Sequence, residues 1–160
     1  MKQRAFTIRV AEYDRLEDLP DPQVSLVKKA MEAAGDAYAP YSGYHVGAAV
    51  LLGNGKVIAG NNQENAAYPS GLCAERVAIF YAGSQYPDVP VKSMAIAAMK
   101  NGVFQEAPVT PCGACRQVIY EKEMKSGEAL ELILYGRSKI QVLRQASDLL
   151  PLPFKLKEDR

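Results

Sequence analysis

Three cysteines punctuate this chain, one within GLCAERVAIF at residues 71 to 80 and two within TPCGACRQVI at residues 110 to 119, each group beside an arginine. Helical patterning runs onward from each group. Cys73 is therefore expected at the N-terminus of one helix, and Cys112 and Cys115 in the first turn of another. Free N–H groups and the partial positive charge at a helix start stabilise thiolates, the form of cysteine that binds metal. A Cys-x-x-Cys turn presents two sulfurs on one side. A third from a separate element leaves one corner of a zinc tetrahedron open, and an open corner marks a catalytic site, whereas structural zinc is closed by four protein ligands. The only histidine, His45, begins a predicted strand and reads as an ordinary strand residue.

Taken singly, these residues also have plainer readings. Cysteine serves as a small buried hydrophobe, and CGAC is compatible with a redox dithiol. Such a dithiol is expected near the chain start, after the first strand of a βαβ pattern, whereas this one lies well downstream. Glu75 alone reads as a solvated first-turn carboxylate favoured by the helix dipole.

At 160 residues the chain suits one domain, which would bury roughly 70% of the surface its unfolded form exposes without disulfide staples. Nineteen basic and eighteen acidic residues give a net charge of +1. No bulk field draws a polyphosphate backbone, so nucleic acid is not expected as a partner. The segment MKQRAFTIRVAEYD lacks the apolar run of a signal peptide, and no stretch approaches membrane-spanning length. No membrane partner is expected, and the expected compartment is the cytoplasm, where thiols stay reduced.

Helices and strands interleave along the chain. Residues 5 to 10, AFTIRV, alternate like a short strand that could add an edge or an arm. A helix follows, with Asp21 placed to cap it, Pro22 in its first turn, and Val24, Val27, Met31 and Ala34 on one face. Strands are expected over 45 to 52 and 56 to 59, joined through Gly53, Asn54 and Gly55 as a hairpin. The loop NNQENAAYPSGL comes next, then a helix over about 73 to 82 and a strand over 93 to 99. A helix beginning inside PCGAC, strands over 130 to 135 and 139 to 143, and a helical turn over 146 to 150 complete the pattern. Such interleaving indicates an α/β layer structure with both sheet faces covered.

In combination the cysteines and Glu75 point further. A metal ligand two residues before a glutamate, followed downstream by Pro-Cys-x-x-Cys, is the signature of zinc deaminases, with cysteine in the position that histidine takes elsewhere. From Ala37 to Phe154 the chain resembles the cytidine deaminases of the small type with three zinc-binding cysteines, through AYAPYSGYHVGAAV, GNNQENAAYPSGLCAER, TPCGACRQVIYE and LLPLPF. The resemblance implies a three-layer α/β/α sandwich around a mixed five-stranded sheet, assembled as a homotetramer. It implies a domain over residues 21–160 preceded by an extension over 1–20. The implied reaction is hydrolytic deamination of cytidine and deoxycytidine to uridine and deoxyuridine, a step of pyrimidine salvage. A zinc-activated water attacks carbon 4 of the base and ammonia leaves. The zinc motifs are shared with blasticidin-type deaminases, so another aminated heterocycle is the alternative substrate.

Roles follow residue by residue from the same resemblance. Cys73, Cys112 and Cys115 match the Zn2+ ligands and Glu75 the general acid/base. Three thiolates around a dication leave a formal charge of about −1, and the arginine matching Arg76 tempers it by donating hydrogen bonds to ligand sulfurs. Arg116 is read as an exposed helix residue or an intersubunit ion pair. Asn62 and Glu64 match the pair that binds the ribose 3′-hydroxyl; the blasticidin deaminases do not keep this pair. Tyr44 stands where a phenylalanine usually packs near the pyrimidine. Thr110 resembles the residue whose backbone carbonyl receives the leaving amine, and Tyr68 one near a subunit interface. Phe154 matches a C-terminal aromatic that reaches a neighbouring subunit's pocket, although Leu152 and Pro153 depart from the small residues common there.

Overall fold

The computed structural model describes residues 1–156. Strand β2 (Tyr44–Leu52) forms a hairpin with β3 (Val57–Asn61), and its other edge pairs antiparallel with β4 (Val91–Lys100). Beyond β4 come β6 (Glu131–Tyr135), parallel to it, and β7 (Ile140–Leu143), antiparallel to β6. These five make the expected mixed sheet, in the order β7-β6-β4-β2-β3. The sheet is nevertheless seven-stranded, because β1 (Ala11–Tyr13) adds to the β7 edge and the two-residue β5 (Val103–Phe104) folds back on β4. The hairpin closes as its turn residues predict, with the Gly55 N–H donating to the Leu52 carbonyl at 2.9 Å.

The expected strand over 5 to 10 is not formed; the edge strand starts at Ala11, and residues 5 to 10 are exposed. Register supplies the reason. Ala11 pairs with Val142, one residue short of the end of β7 at Leu143, so the chain before Val10 has no backbone partner. Alternation alone cannot hold a strand without a neighbour to accept its hydrogen bonds.

Side-chain size alternates along the strands and sorts the helices. On one face Ala48, Val50, Met94, Ile96, Leu132 and Leu134 pack beneath α2 (Ala74–Gln85) and α3 (Gly113–Ser126). On the other, the small Ala49, Ala95 and Ala97 receive Leu26, Val27 and Ala30 of α1 (Asp21–Gly35). The result is the expected α/β/α sandwich. Fully burying an Ile or Leu side chain contributes about 1.5–3 kcal/mol, so the larger of the two faces anchors the helices that carry the cysteines. Gly47 shows how closely α1 approaches: a Cβ there would lie 1.9 Å from the Ala30 carbonyl oxygen and 2.4 Å from the Ala34 nitrogen. Helix α1 begins one residue earlier than a capping role for Asp21 requires. Pro20 is its N-cap, and Asp21 becomes an acidic first-turn residue, favourable to the helix dipole.

Candidate active site

Two helix starts converge on one face of the sheet. Cys73 and Cys112 are the N-caps of α2 and α3, both with extended backbone, and Cys115 follows in the first turn of α3. The N-cap carbonyls begin the helical ladders, Cys73 accepting from the Arg76 and Val77 amides at 3.0 and 3.1 Å and Cys112 from that of Arg116 at 2.9 Å. Gly60 of β3 permits α2 to press against the sheet, since a Cβ there would meet the Ala78 nitrogen at 2.6 Å. Upstream, Gln63 and Leu72 exchange two backbone bonds of 2.9 Å, closing the loop that delivers Cys73 to its helix.

The three sulfurs all lie within 4.8 Å of one another, and those of Cys73 and Cys112 are 3.9 Å apart. A tetrahedral ion with metal–sulfur bonds of about 2.3 Å separates its sulfurs by about 3.8 Å, so this donor set fits zinc. Among the described residues the cluster holds no histidine or carboxylate, which leaves the fourth corner to water or substrate. The Cys115 thiol and then Arg76 draw Cys73 down to about 5, while its thiolate neighbour Cys73 and burial push Cys115 up. A cation that binds all three as thiolates displaces the thiol protons that remain.

Glu75 is only 5% exposed in the first turn of α2. Burial pushes its carboxyl above the ordinary range, and the negative Cys73 sulfur adds to the effect. It is therefore not the solvated first-turn carboxylate of the plainer reading. A buried carboxyl that holds its proton more readily than an ordinary one, beside a metal site, is suited to taking up and releasing protons. Arg76 reaches back along α2 to place Nη2 3.9 Å from the Cys73 sulfur. Its Nε is buried and without a partner, so the guanidinium keeps unused donor capacity.

The remaining candidates form two further groups. Asn62 accepts from the Val46 amide at 2.8 Å and donates to the Tyr44 carbonyl at 2.9 Å, so its amide clamps the start of β2. Glu64 accepts from the Tyr41 and Ser42 amides at 2.9 and 3.3 Å and from the Ser42 hydroxyl at 2.5 Å. Those bonds, the Ser42 hydroxyl foremost, hold its carboxyl below the usual range. Asn62, Glu64 and Tyr44 thus stand together at one end of the β2-β3 hairpin. Tyr44 is half-buried, which raises its hydroxyl pKa. Tyr68 is exposed, with its ring edge-on to Tyr41 at 6.2 Å.

The second group gathers on α3. The Phe154 backbone exchanges bonds of 3.0 and 3.1 Å with the Gln117 amide, while the residue as a whole stays 69% exposed. Arg116 is neither a free surface residue nor short of partners within its own chain: it binds the Pro111 and Leu149 carbonyls at 2.9 and 3.2 Å and the Thr110 hydroxyl at 3.4 Å. Gln117 and the buried Glu123, which caps the turn over Ala146–Leu149, were not legible as site supports. Their partners lie 37 and 23 residues away, and polar positions on a helix carry no mark of such contacts.

The family model for the cytidine and deoxycytidylate deaminase zinc-binding region matches residues 21–127. A cytidine deaminase of Halalkalibacterium halodurans is 47% identical over 96 residues, covering 60% of this chain and 68% of that protein. One from Mycobacterium tuberculosis is 36% identical over 104 residues, covering 64% and 74%. Among solved structures, the cytidine deaminase of Burkholderia pseudomallei superimposes with a TM-score of 0.70 at 39% identity, covering 81% of this chain and 97% of that one. The Mycobacterium tuberculosis structure gives 0.66 at 33% identity, covering 82% and 96%.

Proposed function

Because the chain belongs to the cytidine deaminase family, we propose that it hydrolyses cytidine and deoxycytidine to uridine and deoxyuridine with release of ammonia. The observation that carries this reading is the three-sulfur cluster with an open corner beside the buried Glu75. Zinc held by Cys73, Cys112 and Cys115 supplies the Lewis acidity that makes water nucleophilic near neutral pH.

The proton balance falls to Glu75. Its carboxylate takes one proton as water adds to carbon 4 and passes it to ring nitrogen 3. It then carries the second proton to the departing amino group, so cytidine and water become uridine and ammonia with the carboxylate restored. Arg76 offsets the negative charge of the sulfurs through its contact with Cys73. Thr110 offers its backbone carbonyl to the leaving amine. Tyr44 packs beside the base.

Asn62 and Glu64 are assigned to the ribose 3′-hydroxyl. Their existing bonds to β2 and to the Tyr41–Ser42 loop support the assignment by fixing both side chains before substrate arrives. A site built around a hydroxyl discriminates strongly against analogues lacking it, so free nucleosides are the proposed substrates. The proposed cellular role is pyrimidine salvage in the cytoplasm. Among the described residues no helix is long and apolar enough to cross a membrane.

Residues 21–160 are proposed as the deaminase domain and 1–20 as an extension. A homotetramer is proposed as the working form. Phe80 and Tyr81 on α2 are 48% and 55% exposed and Phe154 is 69% exposed, and apolar surface of this kind is characteristic of subunit contacts. Sedimentation of the zinc-loaded protein is expected to give a tetramer, and an active monomer would remove that part of the reading. The function itself is tested by the ultraviolet change on adding cytidine to zinc-loaded protein, with released ammonia measured in parallel. Conversion to uridine is expected. No conversion at full zinc occupancy would overturn the substrate assignment.

A further inference from the structure

Helix α3 grips the C-terminal segment at both ends through its own side chains. Glu123 accepts from the Ala146 and Ser147 amides at 2.7 and 3.1 Å, and Gln117 holds the Phe154 backbone through its two bonds. Arg116, on the same helix, spreads one planar guanidinium over two segments. Nε donates to the Pro111 carbonyl at 2.9 Å, Nη2 to the Thr110 hydroxyl at 3.4 Å, and Nη1 to the Leu149 carbonyl at 3.2 Å.

Pro111 immediately precedes Cys112. The guanidinium therefore ties the peptide leading into the sulfur cluster to a segment whose nearest bonded residue is 33 positions further along. Among the described residues no carboxylate pairs with Arg116. Its charge is directed wholly at neutral oxygens of these two segments, and a rigid fork of donors fixes their relative positions in a way that a flexible ammonium cannot.

We propose that Arg116 is a positioning residue for the deamination reaction, setting the Thr110–Pro111 loop against the C-terminal segment so that substrate meets a wall already formed. The inference rests on the functional reading above, in which Thr110 faces the leaving amine. Without the tie, substrate must order the Thr110–Pro111 loop on binding. That cost falls on the ground state and the transition state alike, so it appears in KM and leaves kcat nearly unchanged.

The test compares zinc-loaded wild type with Arg116→Gln and Arg116→Lys, measuring zinc content, KM and kcat for cytidine. Arg116→Gln is expected to retain zinc, raise KM about tenfold and change kcat less than about threefold; tenfold corresponds to about 1.4 kcal/mol, the net worth of one hydrogen bond. Arg116→Lys keeps the charge but cannot reach all three acceptors, so an intermediate KM is expected, and methylguanidinium added to Arg116→Ala is expected to lower its KM. A merely structural role would move none of these readouts selectively. An unchanged KM at full zinc occupancy overturns the inference, as does a fall in kcat that tracks loss of zinc. Should Arg116→Gln fail to fold, Arg116→Lys decides, because a wild-type KM in that variant overturns the inference equally. Wild type inactive on cytidine overturns instead the functional reading beneath it.

Discussion

Replacing Glu123 with alanine should destabilise the protein more than its place on a largely polar helix would indicate. The carboxylate is 7% exposed and accepts three backbone N–H groups: Leu130 at 2.9 Å, Ala146 at 2.7 Å and Ser147 at 3.1 Å. Leu130 and Ala146 are buried, at 0% and 2% exposure, so water does not readily replace their acceptor. Each buried donor left without a partner costs about 1–3 kcal/mol, which puts Glu123→Ala at about 2–6 kcal/mol. For a domain of this size the melting temperature should fall by on the order of 10 °C. Glu123→Gln supplies an internal control. One oxygen bonds both Leu130 and Ala146, and the amide can present its carbonyl there, losing only the Ser147 contact at about 1 kcal/mol. Urea unfolding of zinc-loaded protein, at one fixed protomer concentration because assembly also stabilises, measures both. Glu123→Ala within about 0.5 kcal/mol of wild type would refute the accounting, as would equal losses in the two variants.

Other perturbations probe the site and the layers around it. Glu75→Gln removes the proton carrier without touching a sulfur, so zinc content should hold while kcat falls by about 10²- to 10⁴-fold; near-normal turnover would exclude the acid/base role. Gly47→Ala drives a methyl group into the backbone of α1 at Ala30 and Ala34. It is expected to lower stability by about 3 kcal/mol, read from the shift in urea midpoint. Glu64 has a folded pKa below its unfolded value, chiefly through the Ser42 hydroxyl. Its contribution is therefore present above the unfolded carboxylate pKa and lost as pH falls through the folded value. The stability difference between wild type and Glu64→Gln should shrink on acidification, and a difference that grows would reverse the assignment.

The sequence by itself determined whatever depends on neighbouring residues. Apolar runs over 45 to 52 and 93 to 99 implied strands β2 and β4, and Pro-Cys-Gly-Ala-Cys implied a helix start that carries two sulfurs. The cluster of Cys73, Cys112 and Cys115 was legible because its spacing is itself the signature. Tertiary structure decided what depends on partners distant in the chain. It placed the edge strand at Ala11 because β7 stops at Leu143, and it turned Arg116 inward onto Pro111 and Leu149. It also directed the Asn62 amide onto β2 and buried Glu123 beneath the C-terminal turn. A hydrogen bond between residues tens of positions apart leaves no periodicity in either segment. Its partners are fixed only when the sheet and helices pack, by the requirement that each buried donor find an acceptor.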